Sequence, residues 1–79
     1  MNPASFTKRY FLLPRAGIGL LRFILESYDG LAFARTLDRQ AGLVEIAFPA
    51  SRRTDVDVLL DALALEVGLQ EVPAPMEIP

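Results

Sequence analysis

Hydrophobic spacing that switches repeatedly between a period near 3.6 and a period of 2 constrains this chain more than any single motif. From Ile18 to Tyr28 the pattern is helical. Ile18, Leu20, Leu21, Ile24, Leu25 and Tyr28 fill one arc of a wheel turning about 100° per residue. Gly19, Arg22 and Glu26 lie opposite, with Phe23 misplaced among them. A second stripe, Val56, Leu59, Leu60, Leu63 and Val67, predicts a helix over 52–67, with Gly68 as its stop. Thr54 followed by Asp57 is one capping signal for that helix, and Ser51 is the rival. Between the helices, Leu31–Leu37 and Leu43–Phe48 alternate as strands do, separated by the turn-like run Asp38-Arg39-Gln40-Ala41-Gly42.

Pairing Leu37 with Leu43 sets a register for this hairpin. One face then carries Thr36–Val44, Ala34–Ile46 and Ala32–Phe48, small opposite large. The other carries Leu37–Leu43, Arg35–Glu45 and Phe33–Ala47, with Arg35 and Glu45 as a direct cross-strand ion pair. A first strand runs from Phe6 to Leu13, and either Tyr10 with Leu12 or Phe11 with Leu13 faces inward. Leu69–Val72 forms a short last strand. The order β-α-β-β-α-β implies the α+β class in its ferredoxin-like form, a four-stranded antiparallel sheet with both helices on one face. A single domain over 1–72 is expected, with 73–79 as an extended or mobile tail.

Composition removes most catalytic chemistry. The chain has no Cys, His or Trp, which excludes disulfides, thiolate nucleophiles, imidazole bases and the usual zinc sites. No metal or other cofactor is called for, and no catalytic residue is singled out. The apolar run after Lys8-Arg9 is broken by Pro14-Arg15, too soon for a signal h-region or a membrane span, so a cytoplasmic protein without a membrane partner is expected. Net charge is −2, but it is unevenly placed: +4 through Arg53 and −6 from Thr54 onward. That balance gives no global attraction for nucleic acid.

Three groups of residues carry alternative readings. Gly17-Ile18-Gly19 follows a strand and opens a helix. With Arg15 beside the first helical N–H groups, it reads as a site for a small anion, or as a tight strand-to-helix turn. Glu26, Tyr28 and Asp29 read as an acid–base or hard-cation cluster, or as a helix end in which Glu26 pairs with Arg22 one turn back. Phe33, Arg35, Leu37, Leu43 and Glu45 share a sheet face too apolar for solvent. They read as an interface, or as a face covered by the tail through Met76 and Ile78.

Two resemblances follow from particular residues. The run Leu20-Leu21-Arg22-Phe23-Ile24-Leu25-Glu26-Ser27-Tyr28-Asp29-Gly30-Leu31-Ala32, then Arg35-Thr36-Leu37-Asp38 and Gly42-Leu43-Val44-Glu45-Ile46, resembles a family of small bacterial proteins catalogued as domain of unknown function 4911. That likeness implies the fold and a bacterial origin, and no activity. The sequence from the first strand through Pro14-Arg15-Ala16-Gly17 into the helix is similar to ACT-type ligand-sensing domains. The likeness implies a small effector held near Arg15, Ala16, Gly17 and Gly19 between paired domains. Leu13 and Pro14 stand where that family usually places an acidic residue.

These readings converge on a small non-enzymatic binding or regulatory module, acting as a homodimer and sensing a small anionic ligand at the loop after the first strand. The alternatives are an interaction module docking a larger protein through its open sheet face, or an RNA-binding domain. The RNA reading is disfavoured, because the third strand presents Leu43, Glu45 and Ala47 rather than rings and cations on that face. Acylphosphatases share the element order, but they use an Asn on a later strand, and the only asparagine here is Asn2.

Overall fold

A computed structural model describes residues 6–76. Strand β1 (Phe6–Leu12) leads through a short 3-10 turn into α1 (Ile18–Glu26). The hairpin β2 (Phe33–Asp38) and β3 (Leu43–Pro49) follows, then α2 (Arg53–Glu66) and β4 (Gln70–Val72). The sheet order is β2-β3-β1-β4 and every neighbouring pair is antiparallel. This is the ferredoxin-like arrangement of the α+β class.

Both helices pack on the same sheet face. Leu21 and Leu25 of α1 and Val56, Leu60 and Leu63 of α2 share one core with Val44, Ile46 and Phe48 of β3. Each large side chain fully buried there, such as Phe48 or Leu21, contributes roughly 1.5–3 kcal/mol through apolar area removed from water. The facing of β1 is settled by its pairing with β3. Phe11 lies opposite Val44 and joins the core with Leu13, whereas Tyr10 lies opposite Glu45 on the outer face.

The hairpin keeps the expected pairs Phe33–Ala47, Ala34–Ile46, Arg35–Glu45 and Thr36–Val44. Leu37 does not pair with Leu43, however. Asp38 takes that place, and a bulge lies between Thr36 and Asp38. Turn chemistry accounts for the slip. The Asp38 carboxylate accepts a hydrogen bond from the Ala41 N–H at 3.1 Å, and the Gly42 N–H donates to the Arg39 carbonyl at 3.3 Å. The loop closes one residue tighter than expected, and the strand absorbs the extra residue as a bulge.

Helix α1 ends at Glu26, two residues before the expected Tyr28. Gly30, with φ +71°, turns the chain afterwards rather than capping the helix. Leu20 and Tyr28, expected in the core, are 49% and 45% exposed, because two buried positions one turn apart suffice to seat a nine-residue helix. Neither Ser51 nor Thr54 caps α2, which follows directly from a 3-10 turn over Ala50–Arg52. Gly68 adopts φ +76° and stops that helix as expected. After β4, Met76 is fully exposed and does not cover the sheet. Ile78 lies outside the described residues.

One close approach fixes the relation between the hairpin and the first crossover. The Leu13 N–H donates to the Gly42 carbonyl at 3.0 Å. Gly42 has φ +76°, and a Cβ built on it would overlap the Leu13 carbonyl oxygen. Only glycine meets both requirements. Gly42→Ala is therefore expected to destabilise the fold by at least about 2 kcal/mol, lowering the melting temperature by about 10 °C. Gly19→Ala serves as the control in thermal unfolding, since a Cβ at Gly19 meets nothing within 4 Å. Equal stability of the two variants would contradict this account.

Candidate functional site

The contact between Leu13 and Gly42 brings two loops together. Arg15 follows β1, Gln40 lies in the hairpin turn, and the Arg15 Nη1 donates to the Gln40 Oε1 at 3.0 Å. Beside this contact lies a cleft of about 330 Å³ lined by Arg15, Ile18, Gly19, Arg22, Thr36 and Arg39. Three guanidinium groups line it, and no carboxylate does. The first turn of α1 opens there with neither a side-chain cap nor an acidic residue. Its partial positive charge adds to that of the arginines.

The distribution of ion pairs sharpens this picture. Arg9 contacts Asp57 at 2.8 Å and Glu71 at 2.7 Å, Arg35 contacts Glu45, Arg52 contacts Asp55, and Arg53 approaches Asp57. Among the described residues Arg15, Arg22 and Arg39 form no ion pair. The expected Arg22–Glu26 pair is absent, and Arg22 lines the cleft instead. Three of the four cations that form no ion pair among the described residues thus gather in one place, Lys8 on β1 being the fourth.

Of the sequence candidates, Arg15 and Gly19 line the cleft and Gly17 does not. Gly17 is the tight turn of the alternative reading. A Cβ there would sit 3.5 Å from Leu13 Cδ1 and from the Val67 carbonyl oxygen. Sequence reasoning missed Arg22, Thr36 and Arg39. Arg22 was open to discovery, since it lies three residues after Gly19 on the same helix face. Arg39 was not, because its position depends on the Gly42 contact.

The outer sheet face holds the other candidates. Glu45 is buried at 5% exposure, and its carboxylate accepts hydrogen bonds from the Tyr10 hydroxyl at 3.1 Å and the Arg35 Nε at 3.4 Å. Tyr10 belongs to this cluster and was not singled out, because the facing of β1 was open. Burial, then the Glu45 carboxylate, pushes the Tyr10 phenol above its ordinary value. Phe33 is exposed, Leu43 half-buried, and Leu37 half-buried at the bulge. Glu26, Tyr28 and Asp29 line a separate cleft. Among the described residues no group of three or more acidic side chains could hold a metal ion.

These features define a ferredoxin-like α+β domain with an arginine-lined cleft where α1 meets the edge strand β2. The chain belongs to the family described as Domain of unknown function (DUF4911), whose model matches residues 11–67. That span includes every residue of the arginine cleft. No curated protein and no solved structure matches the chain. No helix among the described residues is long and apolar enough to cross a membrane.

Arg9 ties α2 to β4, and its hydrogen bond holds the Glu71 carboxyl below the usual carboxylate range against the opposing effect of burial. A carboxyl that binds its proton less tightly when folded favours folding above its unfolded pKa. That stabilisation is lost as pH falls through the ordinary carboxylate range and below it. The stability difference between the wild type and Glu71→Gln is expected to shrink over that window. A difference unchanged from neutral to acid pH, measured by denaturant unfolding, would contradict the assignment.

Proposed function

We propose that this protein is a non-enzymatic binding module that holds a small polyanion in the cleft of Arg15, Arg22 and Arg39. The observation that carries the reading is the convergence of three guanidinium groups, unpaired among the described residues, with no carboxylate in the lining. Arginine's planar fork of donors matches phosphate and carboxylate oxygens. The volume, about 330 Å³, lies at the small end of ordinary ligand pockets. The likeness of this loop to that of ACT-type domains supports an effector site rather than a catalytic one.

Isothermal titration with inorganic pyrophosphate tests the reading. Binding is expected, weakened about tenfold by Arg39→Ala or Arg22→Ala, since a charge-assisted hydrogen bond contributes about 1.5 kcal/mol or more. Arg52→Ala, outside the cleft, is expected to leave it unchanged. Absence of binding at millimolar pyrophosphate would remove the proposal.

A second element of the reading is self-association through the outer sheet face. Phe33 and Phe6 are 55% and 46% exposed there, on the face that also carries Leu43, Ala47 and Val72. Such a patch favours a protein partner, and a second copy of the chain is the simplest. Light scattering behind size-exclusion chromatography is expected to give twice 8.7 kDa, reduced to the single mass by Phe33→Asp. A wild-type monomer would overturn this element and leave the face to a different protein.

A further inference from the structure

The arginine cleft has a neighbour that shares Arg22 with it. This second cleft, of about 400 Å³, lies beyond it along the same margin and is lined by Arg22, Glu26, Tyr28 and Asp29 together with the start of β2. The two clefts follow α1 from its first turn to its end, while β2 runs the opposite way beneath, with Thr36 at the arginine end and Phe33 and Ala34 at the other. From Ile18 to Glu26 the helix rises about 12 Å.

The two ends differ in chemistry. One offers guanidinium donors to anionic oxygens. The other offers Tyr28, whose side chain is partly exposed, and the carboxylates of Glu26 and Asp29, which have no cationic partner among the described residues. A carboxylate accepts hydrogen bonds and donates none. The complementary ligand therefore carries a polyanion at one end and, at the other, a flat ring bearing N–H donors.

Building on the polyanion reading above, we propose that the two clefts together bind a nucleoside diphosphate whose base carries an exocyclic amino group. The diphosphate lies against Arg15, Arg22 and Arg39, and the base stacks on Tyr28. The amino N–H groups of the base donate to Glu26 or Asp29. Stacking on an aromatic side chain and a donor–acceptor match at the base edge are the two means by which proteins hold a single base.

Isothermal titration of the intact chain with inorganic pyrophosphate and with GDP separates the two ends. GDP is expected to bind at least about tenfold more tightly than pyrophosphate. Tyr28→Ala and the double variant Glu26→Ala/Asp29→Ala, all at exposed positions, are expected to remove that advantage while leaving pyrophosphate binding in place. Arg39→Ala weakens both ligands. Equal affinity for GDP and pyrophosphate, with the Arg39 dependence intact, would overturn the nucleotide assignment and leave the polyanion reading standing. Failure of both ligands to bind would remove the two together. A single-stranded RNA that bound more tightly than GDP would assign the clefts to nucleic acid and overturn the proposal.

Discussion

The structure depends on a backbone contact that admits no side chain. Gly42 meets the Leu13 carbonyl so closely that a Cβ would collide with it, and its own carbonyl receives the Leu13 N–H. This contact is made where β1 has ended and β3 is about to begin, so it docks the hairpin turn against the first crossover. The charged loop residues at that end of the molecule inherit their positions from it, while Arg22 is placed by α1. Arg15 arrives from one loop and Arg39 and Gln40 from the other, and the distance between them is set before any side chain chooses a rotamer. Glycine is needed twice over, for the left-handed backbone and for the space.

Net charge describes this molecule poorly. An overall charge of −2 predicts a weak, slightly repulsive field for any anion, yet the distribution of partners reverses that locally. Arg9, Arg35, Arg52 and Arg53 sit with carboxylates, and the acidic residues of α2 and β4 are used largely in that way. The cations of the cleft form no such pair, although Arg22 also borders the neighbouring cleft that Glu26 and Asp29 line. At physiological salt, charges farther than about 8 Å are largely screened. An anion at the cleft responds to the arginines around it and very little to the distant acidic helix.

Periodicity and turn residues were sufficient to read the element order, both helices, the hairpin and its four main pairs. Those features arise from local spacing and from the demand that one sheet face be apolar. The facing of β1 was not legible, because both of its faces are apolar in sequence. Only the register against β3 shows that Tyr10 meets Glu45. The displacement of Leu37 escaped for a different reason: the Asp38 side chain competes with the strand ladder for control of the turn. Arg15 and Gly19 were visible because strand, loop and helix start are contiguous. Arg22 was assigned to an i,i+4 pair that does not form, and Arg39 reaches the site only through a contact between distant residues.

The bulge at Leu37 has a consequence for how such molecules meet. β2 is an outer strand of the sheet, and one of its backbone edges has no neighbour within the sheet. A straight edge of that kind is a template for adding strands from other chains, with runaway growth as the hazard. An extra residue between Thr36 and Asp38 kinks the edge and interrupts its regular alternation of donors and acceptors, a device that limits strand addition. The tight turn that positions Arg39 thereby also blunts the margin of the sheet. Edge-to-edge growth along β2 is disfavoured.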